Sequence, residues 1–207
     1  MSEYVHVSSH PLVKDCLARL RDKNTAPASF RRILEEISLL IGYEALAGLN
    51  VSRGKVITPI AEAVSEKISS NIVFVAVLRT GLAYMEGLLK LYPKAKQGHI
   101  GLKRDAKSLE PVKYYESLPP CIADSEVFIL DPMIATGGSS SAAINMLKAK
   151  GAKKITFIAL IASKQGIQKL LADHPGMHIF LAAIDPALNE KGYIVPGLGD
   201  AGDRLFF

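Results

Sequence analysis

The chain has 207 residues, of which 49% are hydrophobic and 22% charged, and it carries a formal net charge of +5. This composition is typical of a globular protein with a sizeable core and excludes a disordered chain. The charge permits an anionic ligand, but the basic residues are too dispersed to indicate nucleic-acid binding. The apolar runs fall short of the roughly 20 residues of a membrane span, and the N-terminus lacks the apolar core of a signal peptide. Two cysteines, Cys16 and Cys121, are expected as free thiols of a cytoplasmic protein.

The N-terminal segment, over about residues 11–50, is predicted to be helical. Between Phe30 and Ala45, apolar residues recur at steps of three and four, which is the spacing of one face of a helix. Thr25 and Pro27 mark a start, because proline fits the first helical turn, where its missing N–H is not needed.

A buried strand, a helix and a hairpin are predicted next. Residues 72–78 form a continuous apolar run, as expected of a strand covered on both faces. Residues 81–91 then favour a helix. Two short strand candidates, 99–102 and 112–118, enclose a polar middle, which indicates a β-hairpin flap over about residues 99–118.

The second half of the chain alternates strands with helices. The predicted elements are a strand over 127–130, a helix over 140–150 ended by Gly151, a strand over 154–162, a helix over 165–172 and a strand over 178–184. This alternation predicts an α/β fold, a parallel sheet flanked by helices. Ligands of such sheets bind beyond the carboxyl ends of the strands, so the loops at Arg79, at Asp131 and over 193–204 are the candidates.

The loop at Asp131 combines an acid with a phosphate-binding turn. In the stretch VFILDPMIATGGSSS, a buried strand ends on this aspartate, and a helix starts after Gly137 and Gly138. Helix N-termini bind phosphate through unpaired N–H groups, and glycine allows close approach of the backbone. A carboxylate suits the two hydroxyls of a ribose, so the stretch predicts a phosphoribosyl site. The alternative is a structural role only, with Ser139 as a helix N-cap beside an ordinary turn.

Five segments together resemble the uracil phosphoribosyltransferase family. They are RDKNT from Arg21, VLRTGLAYMEGLLKLYP from Val77, GHIGLKRDAKSLEPVKYYESLP from Gly98, ILDPMIATGGSS from Ile129 and GYIVPGLGDAGDRLF from Gly192. Most phosphoribosyltransferases place two acids before the turn, whereas the uracil enzymes follow one acid with proline, as Asp131 and Pro132 do here. The departures from the family pattern are Thr80, Lys103 and the Phe206-Phe207 terminus.

The resemblance implies a pentosyltransferase with one phosphoribosyltransferase domain over 1–207, of the type I fold, with the flap and a C-terminal hood that binds the base. Its reaction would be uracil plus 5-phospho-α-D-ribose 1-diphosphate (PRPP) to UMP and diphosphate, in pyrimidine salvage. Mg²⁺ would accompany PRPP and be held mainly by it, because Mg²⁺ keeps waters and few protein ligands. The five histidines show no metal-ligand spacing. The resemblance further implies a homo-oligomer, dimer or tetramer, and GTP as an activator of some members.

The resemblance also implies the site residues. Those for PRPP are Arg79, Arg104, Asp131, Pro132, Met133, Ile134, Ala135, Thr136, Gly137, Gly138, Ser139 and Asp200, and those for uracil are Ile194, Gly199, Asp200 and Ala201. Guanidinium groups suit the diphosphate. The two aspartates, Asp131 and Asp200, are the catalytic candidates, because carboxylates can stabilise an oxocarbenium-like ribose.

Two other functions remain open on the residues alone. A PRPP- or nucleotide-sensing, RNA-binding regulator on the same fold would carry a two-acid motif and a clustered basic face. A purine phosphoribosyltransferase would need an aromatic residue to stack on the base and a lysine for the purine oxygen. The single acid before Pro132 disfavours the first, and the loop GLGDAGD disfavours the second.

Overall fold

The computed structural model describes residues 2–104 and 111–207, so the middle of the predicted flap, residues 105–110, lies outside the described residues. The helices are α1 (Pro11–Arg21), α2 (Pro27–Leu46), α3 (Thr80–Leu91), α4 (Gly138–Ala149), α5 (Lys164–Asp173) and α6 (Ala201–Phe206). The strands are β1 (Val5–Val7), β2 (Val51–Ile57), β3 (Glu62–Ile68), β4 (Asn71–Leu78), β5 (Lys96–Arg104), β6 (Pro111–Ser117), β7 (Ser125–Leu130), β8 (Met133–Ile134), β9 (Lys154–Ile158), β10 (Ile161–Ser163), β11 (His178–Leu181), β12 (Ala183–Asp185), β13 (Ala187–Leu188) and β14 (Ile194–Val195).

A sheet of seven strands, in the order β1-β11-β9-β7-β4-β5-β6, forms the centre of the described chain. Its neighbours are parallel except for β5 and β6, which pair in antiparallel fashion as the predicted flap hairpin. The predicted α/β class is therefore confirmed. Among the helices of the described residues, none combines the length and the apolar character that crossing a membrane requires.

Helices cover both faces of this sheet, and the side chains of β4 alternate between the two. Phe74 packs in one hydrophobic cluster with the residues of α1, α2 and α3. Val73 and Val75 pack in the other, with the residues of α4 and α5. Because successive residues of a strand point to opposite faces, a run that is apolar at every position is buried on both.

The helix boundaries follow the expected local chemistry, with one correction. The second helix begins at Pro27, as predicted, and Gly151 follows α4 with a φ of +88°, the left-handed conformation expected of a glycine after a helix. The helix predicted over 140–150 begins two residues earlier, at Gly138, because Gly137 is its N-cap residue.

Two predicted strands are wrong in extent, because each is two strands in two sheets. The runs 154–162 and 178–184 both break and continue into a smaller parallel sheet of order β12-β10-β8. At the break, the N–H groups of Leu160 and Ile161 donate to the carbonyl of Pro132 at 2.9 and 3.0 Å. Both sheets are buried there, so the apolar pattern continues through the bend and does not reveal it.

The antiparallel hairpin of β2 and β3 was not predicted from the sequence. Its strands are largely exposed, and ion pairs such as Lys55 to Glu62 join them across the surface. Strands without a buried face lack the strong hydrophobic pattern that marks strands elsewhere in the chain.

The helical prediction over 11–50 corresponds to α1 and α2.

Candidate active site

The candidate site lies where adjacent strands of the sheet end. Arg79 follows β4, Asp131 follows β7, and these two strands are parallel neighbours, with Ala76 opposite Leu130. On the other side of β4, strand β5 ends at Arg104. The fold thus brings the starts of these three loops to one edge of the sheet.

The turn before α4 is shaped as an anion site. Gly137, the N-cap residue of α4, adopts a φ of +80° and a ψ of −7° and has no side chain with which to cap the helix, and the Gly138 N–H makes only a long contact of 3.5 Å to the Thr136 hydroxyl. The expectation that Ser139 caps the helix is therefore wrong, because this serine lies within the first turn. Uncapped first-turn N–H groups, together with the helix dipole, favour a bound phosphate. The hydroxyls of Thr136 and Ser139 lie in the same turn.

The start of helix α5 packs against the segment that leads into this turn. The Ser163 hydroxyl donates to the carbonyl of Ala135 at 2.6 Å and accepts from the Gly166 N–H at 2.8 Å. A Cβ added to Gly166 would lie 2.4 Å from the same Ala135 carbonyl, so the two backbones are in direct contact. Sequence reasoning missed this support. Its only signal was a serine placed where a helix starts after a buried strand.

The carboxyl of Asp131 is half-buried at the edge of the sheet. Burial raises the pKa of this carboxyl from 3.8 to about 7, and a bond of 3.4 Å from the Met133 N–H acts in the opposite direction without offsetting the burial. Among the side chains that the structure describes, no cation lies within ion-pair distance of it. A desolvated acid of this kind gains most from hydroxyl donors or from a cation that arrives with a ligand.

A cavity of about 540 Å³ lies between the segment after β7 and the C-terminal loop, and Arg79, Asp131 and the turn over 136–139 are not among its lining residues. On one side it is lined by Thr80 at the start of α3, by Met133 of β8 and by Ala135, which follows β8. On the other side it is lined by residues of the C-terminal loop. These are Lys191, Gly192, Tyr193, Ile194, Gly199, Asp200, Ala201 and Gly202. Residues predicted to bind PRPP and residues predicted to bind uracil therefore surround one space.

The C-terminal loop is held in a fixed shape around that cavity. Ile194 is buried in β14, which pairs with β13. Asp200 is exposed and caps α6, because one of its oxygens accepts from the N–H groups of Gly202 and Asp203 at 2.8 and 3.1 Å. The structure places this carboxylate at the cavity, and its contact with PRPP stays a prediction.

The structure describes the side chain of only one of the two arginines predicted to bind the diphosphate. Arg79 is exposed at the start of α3, next to the cavity-lining Thr80, and its guanidinium lies 5.3 Å from the ring centre of Phe206. Arg104 ends β5 with its backbone paired to Pro111. The side chain of Arg104 lies outside what the structure describes.

Sequence reasoning assigned no role to Arg21 or Asp185. Their side chains form a bidentate ion pair beneath the C-terminal loop, with distances of 2.7 and 2.9 Å. Arg21 opens the RDKNT segment, which signalled the family but gave no role for its arginine.

The fold and the loops at its strand ends define a type I phosphoribosyltransferase. A hypoxanthine-guanine phosphoribosyltransferase from Bacillus anthracis shares the fold at a TM-score of 0.53 and 11% identity, over 77% of this chain and 80% of that one. The AQ2163 protein from Aquifex aeolicus is similar at a TM-score of 0.93 and 36% identity, over 98% and 97% of the two chains.

Sequence comparison places the chain within one branch of that class. The model of the family described as Uracil phosphoribosyltransferase matches residues 7–207. Uracil phosphoribosyltransferase from Thermus thermophilus is 50% identical over 95% of both chains. The Acholeplasma laidlawii protein of that name is 49% identical over 97% of this chain and 96% of its own. The chain belongs to the uracil phosphoribosyltransferase family.

Proposed function

We propose that this protein joins N1 of uracil to C1 of the ribose of PRPP, forming UMP and releasing diphosphate, as a step of pyrimidine salvage. The observation that carries the proposal is the cavity shared by the loop after Asp131 and the GLGDAGD loop. A phosphoribosyl site and a base site must open onto one space for the two substrates to react. Membership of the family supports the same reaction.

The segment from Asp131 to Ser139 would bind the ribose 5-phosphate part of PRPP. The carboxylate of Asp131 would accept the ribose hydroxyls, and Pro132, Met133, Ile134 and Ala135 lead the backbone to the turn. The N–H groups of Gly137, Gly138 and Ser139, with the hydroxyl of Thr136, would take the 5′-phosphate. Arg79 and Arg104 would bind the diphosphate, which leaves as an anion.

The C-terminal loop would read the base through its backbone. Uracil presents two carbonyl acceptors and the N3–H donor, which the backbone N–H and C=O groups of Ile194, Gly199 and Ala201 would match; all three residues line the cavity. Cytosine would place an amine where uracil has a carbonyl and leave a backbone donor unpaired. Such mismatches discriminate strongly between substrates.

Asp131 and Asp200 are the proposed catalytic residues. As the bond to diphosphate breaks, positive charge develops on the ribose, and carboxylates beside it stabilise that state. The carboxyl of Asp131, two residues before the cavity-lining Met133, would also suit Mg²⁺ that arrives with PRPP and keeps its waters. When bound, Mg²⁺ would neutralise charge on the departing diphosphate.

Product analysis with four bases tests the function. Incubated with PRPP and Mg²⁺, the protein is expected to form UMP from uracil, with rates for cytosine, orotate and hypoxanthine at least about 1000-fold lower. Chromatography with mass detection identifies each nucleotide. A folded sample that forms no UMP, or that forms a purine nucleotide faster, would contradict the proposal.

We also propose that the chain forms a homo-oligomer, a dimer or a tetramer. The β2–β3 hairpin exposes Ile57, Ile60 and Val64, which are 84%, 96% and 79% accessible. An isolated two-stranded hairpin is only marginally stable in water, and exposed apolar patches mark interaction surfaces. A second copy of the chain would cover these side chains.

Changing one exposed isoleucine of the hairpin tests this assembly. The parent protein is expected to sediment as a dimer or tetramer, and Ile60→Glu is expected to shift the mass toward the monomer by placing a charge in the interface. Lys67→Glu alters the charge on the same hairpin without removing apolar surface, and serves as the control. A monomeric parent at micromolar concentration would refute the assembly.

A cytoplasmic location and activation by GTP complete the proposal. The free thiols of Cys16 and Cys121 support the first, because disulfides are rare in the reducing cytoplasm. The second rests on the family resemblance.

A further inference from the structure

A charged network joins the end of α1 to the C-terminal loop. The guanidinium of Arg21 donates to both carboxylate oxygens of Asp185 and, at 2.8 Å, to the carbonyl of Gly197. The carboxylate of Asp185 in turn accepts from the Gly197 N–H at 3.0 Å. Both backbone polar groups of this glycine are therefore fastened by one ion pair.

Arg204 makes a second link between the same two parts of the chain. Its guanidinium donates to the carbonyl of Leu198 at 2.9 Å, and it also donates to the carbonyls of Leu20 and Asp22 at the end of α1. The last carbonyls of a helix have no partner within the helix, so these bonds satisfy groups that would otherwise need water. The end of α1 and the segment 197–198 thus form one hydrogen-bonded unit.

The geometry at Gly197 explains why its position matters for the base site. Its φ is +59°, and a Cβ there would lie 2.1 Å from the carbonyl oxygen of Ile194. The loop is therefore folded tightly back on Ile194, one of the residues proposed to bind uracil. On the other side, Gly199 and Ala201 follow within four residues. A shift of Gly197 moves the backbone groups on both sides.

Arg21 and Asp185 act at a distance from the substrate. Asp185 is buried, with 6% of its side chain exposed, and Arg21 is 24% exposed. Neither belongs to the described residues that line the cavity. A bidentate, charge-assisted pair at such a place is strong and directional, and its contacts with the C-terminal loop are made at Gly197.

We propose that Arg21 and Asp185 are positioning residues for uracil, which hold the backbone of residues 194–201 in the arrangement that binds the base. This inference rests on the proposed function and adds to it two residues, from α1 and β12, that determine how tightly the base is bound. The PRPP half of the site, on the loop after Asp131, is supported by other contacts, those of the Ser163 hydroxyl at the end of β10 and of Gly166 in α5. Ser163 and Asp185 are paired in the small sheet, but the Ser163 hydroxyl bonds to Ala135 and Gly166 and takes no part in the network around Gly197.

The two halves of the site therefore respond differently to loss of the ion pair. Arg21→Lys keeps the positive charge but loses the bidentate hydrogen bonding, because an ammonium group cannot reproduce the geometry of a planar guanidinium. Asp185→Asn keeps the shape and replaces one accepting oxygen with an N–H₂ group. For each variant we expect the KM for uracil to rise about 10- to 100-fold, with the KM for PRPP within about threefold of the parent value.

Steady-state kinetics in both substrates, at a temperature well below the melting temperature of every variant, gives this comparison. Arg19→Lys is the matched control, since Arg19 lies on the same helix and pairs with Asp15 at 3.0 Å, outside the network. The double variant of Arg21→Lys and Asp185→Asn is expected to raise the KM for uracil no further than the worse single variant, because both break one unit.

The outcomes separate this inference from the proposed function. A parent protein that makes no UMP refutes the function. If the parent is active, a lower melting temperature with both KM values unchanged shows that the ion pair only stabilises the fold and overturns the inference. Equal rises in the KM for uracil and for PRPP, or additive effects in the double variant, overturn it as well.

Discussion

Asp131→Asn is expected to lower kcat by at least about 100-fold and, at the same time, to raise the free energy of unfolding at pH 8. The first effect follows if the carboxylate accepts the ribose hydroxyls and faces the positive charge that develops on the sugar. The second follows from its burial. An ionised carboxylate held in a half-buried position destabilises the folded state, and the neutral amide of asparagine removes that penalty.

The sign of the stability change depends on pH. In the folded chain the pKa of Asp131 is raised from 3.8 to about 7, so between these values the folded state binds a proton that the unfolded state releases. The stability that this group contributes is fully present below about pH 4 and is lost as the pH rises through 7. We therefore expect Asp131→Asn to stabilise the protein by about 1–3 kcal/mol at pH 8 and by little at pH 4.

Urea unfolding at the two pH values, together with kcat, measures both effects. Asp124→Asn is the control, because Asp124 is exposed at the opposite end of β7 and is expected to change neither quantity. The same raised pKa predicts that kcat/KM for PRPP in the parent falls as the pH drops below about 7, since the protonated acid accepts fewer hydrogen bonds. A variant with parental turnover, or one less stable than the parent at pH 8, would exclude this role.

Much of the fold follows from local pattern. The continuous apolar runs predicted β4 and β7, and a proline and a glycine predicted where α2 begins and α4 ends. These signals are local, since they depend on residues within one or two turns. The loops at Arg79 and Asp131 could be placed for the same reason, because parallel strands that alternate with helices end at one edge.

The parts that were missed depend on contacts between distant residues. The ion pair between Arg21 and Asp185 joins positions 164 residues apart, and no periodicity relates them. The break of the long apolar runs into two sheets is also invisible locally, because both segments are buried. The β2–β3 hairpin could not be predicted for the opposite reason, because its exposed strands carry little apolar pattern.

The two loops of the proposed site are supported by different contacts, which the motifs alone do not show. The turn proposed to bind phosphate is supported by Ser163 at the end of β10, whereas the loop proposed to bind the base is supported by Arg21 of α1. If the proposed sites are correct, the N-terminal helices contribute to the base site although none of their residues is expected to touch uracil. Substitutions in the two supports should affect the binding of the two substrates separately.

Gly137→Ala should damage the proposed phosphate half of the site. Its φ of +80° is unfavourable for any residue with a Cβ, at about 1–2 kcal/mol. The added Cβ would also lie 2.9 Å from the carbonyl oxygen of Gly166, a backbone atom that cannot rotate away. The turn must therefore shift away from α5, and the N–H groups proposed to bind the 5′-phosphate shift with it.

Substitutions at two other glycines distinguish the effect of backbone strain from the effect of the steric contact with α5. At Gly138 the nearest atom to an added Cβ is the Thr136 hydroxyl, at 3.7 Å, so Gly138→Ala should leave the stability of the fold unchanged or slightly higher. Gly176 has a φ of +78° with nothing within 4 Å, so Gly176→Ala reports the conformational strain alone. We expect the KM for PRPP to rise at least about tenfold in Gly137→Ala and to stay at the parent value in Gly176→Ala. If both variants lose the same stability and bind PRPP equally well, the contact between the turn and α5 does not shape the phosphate site.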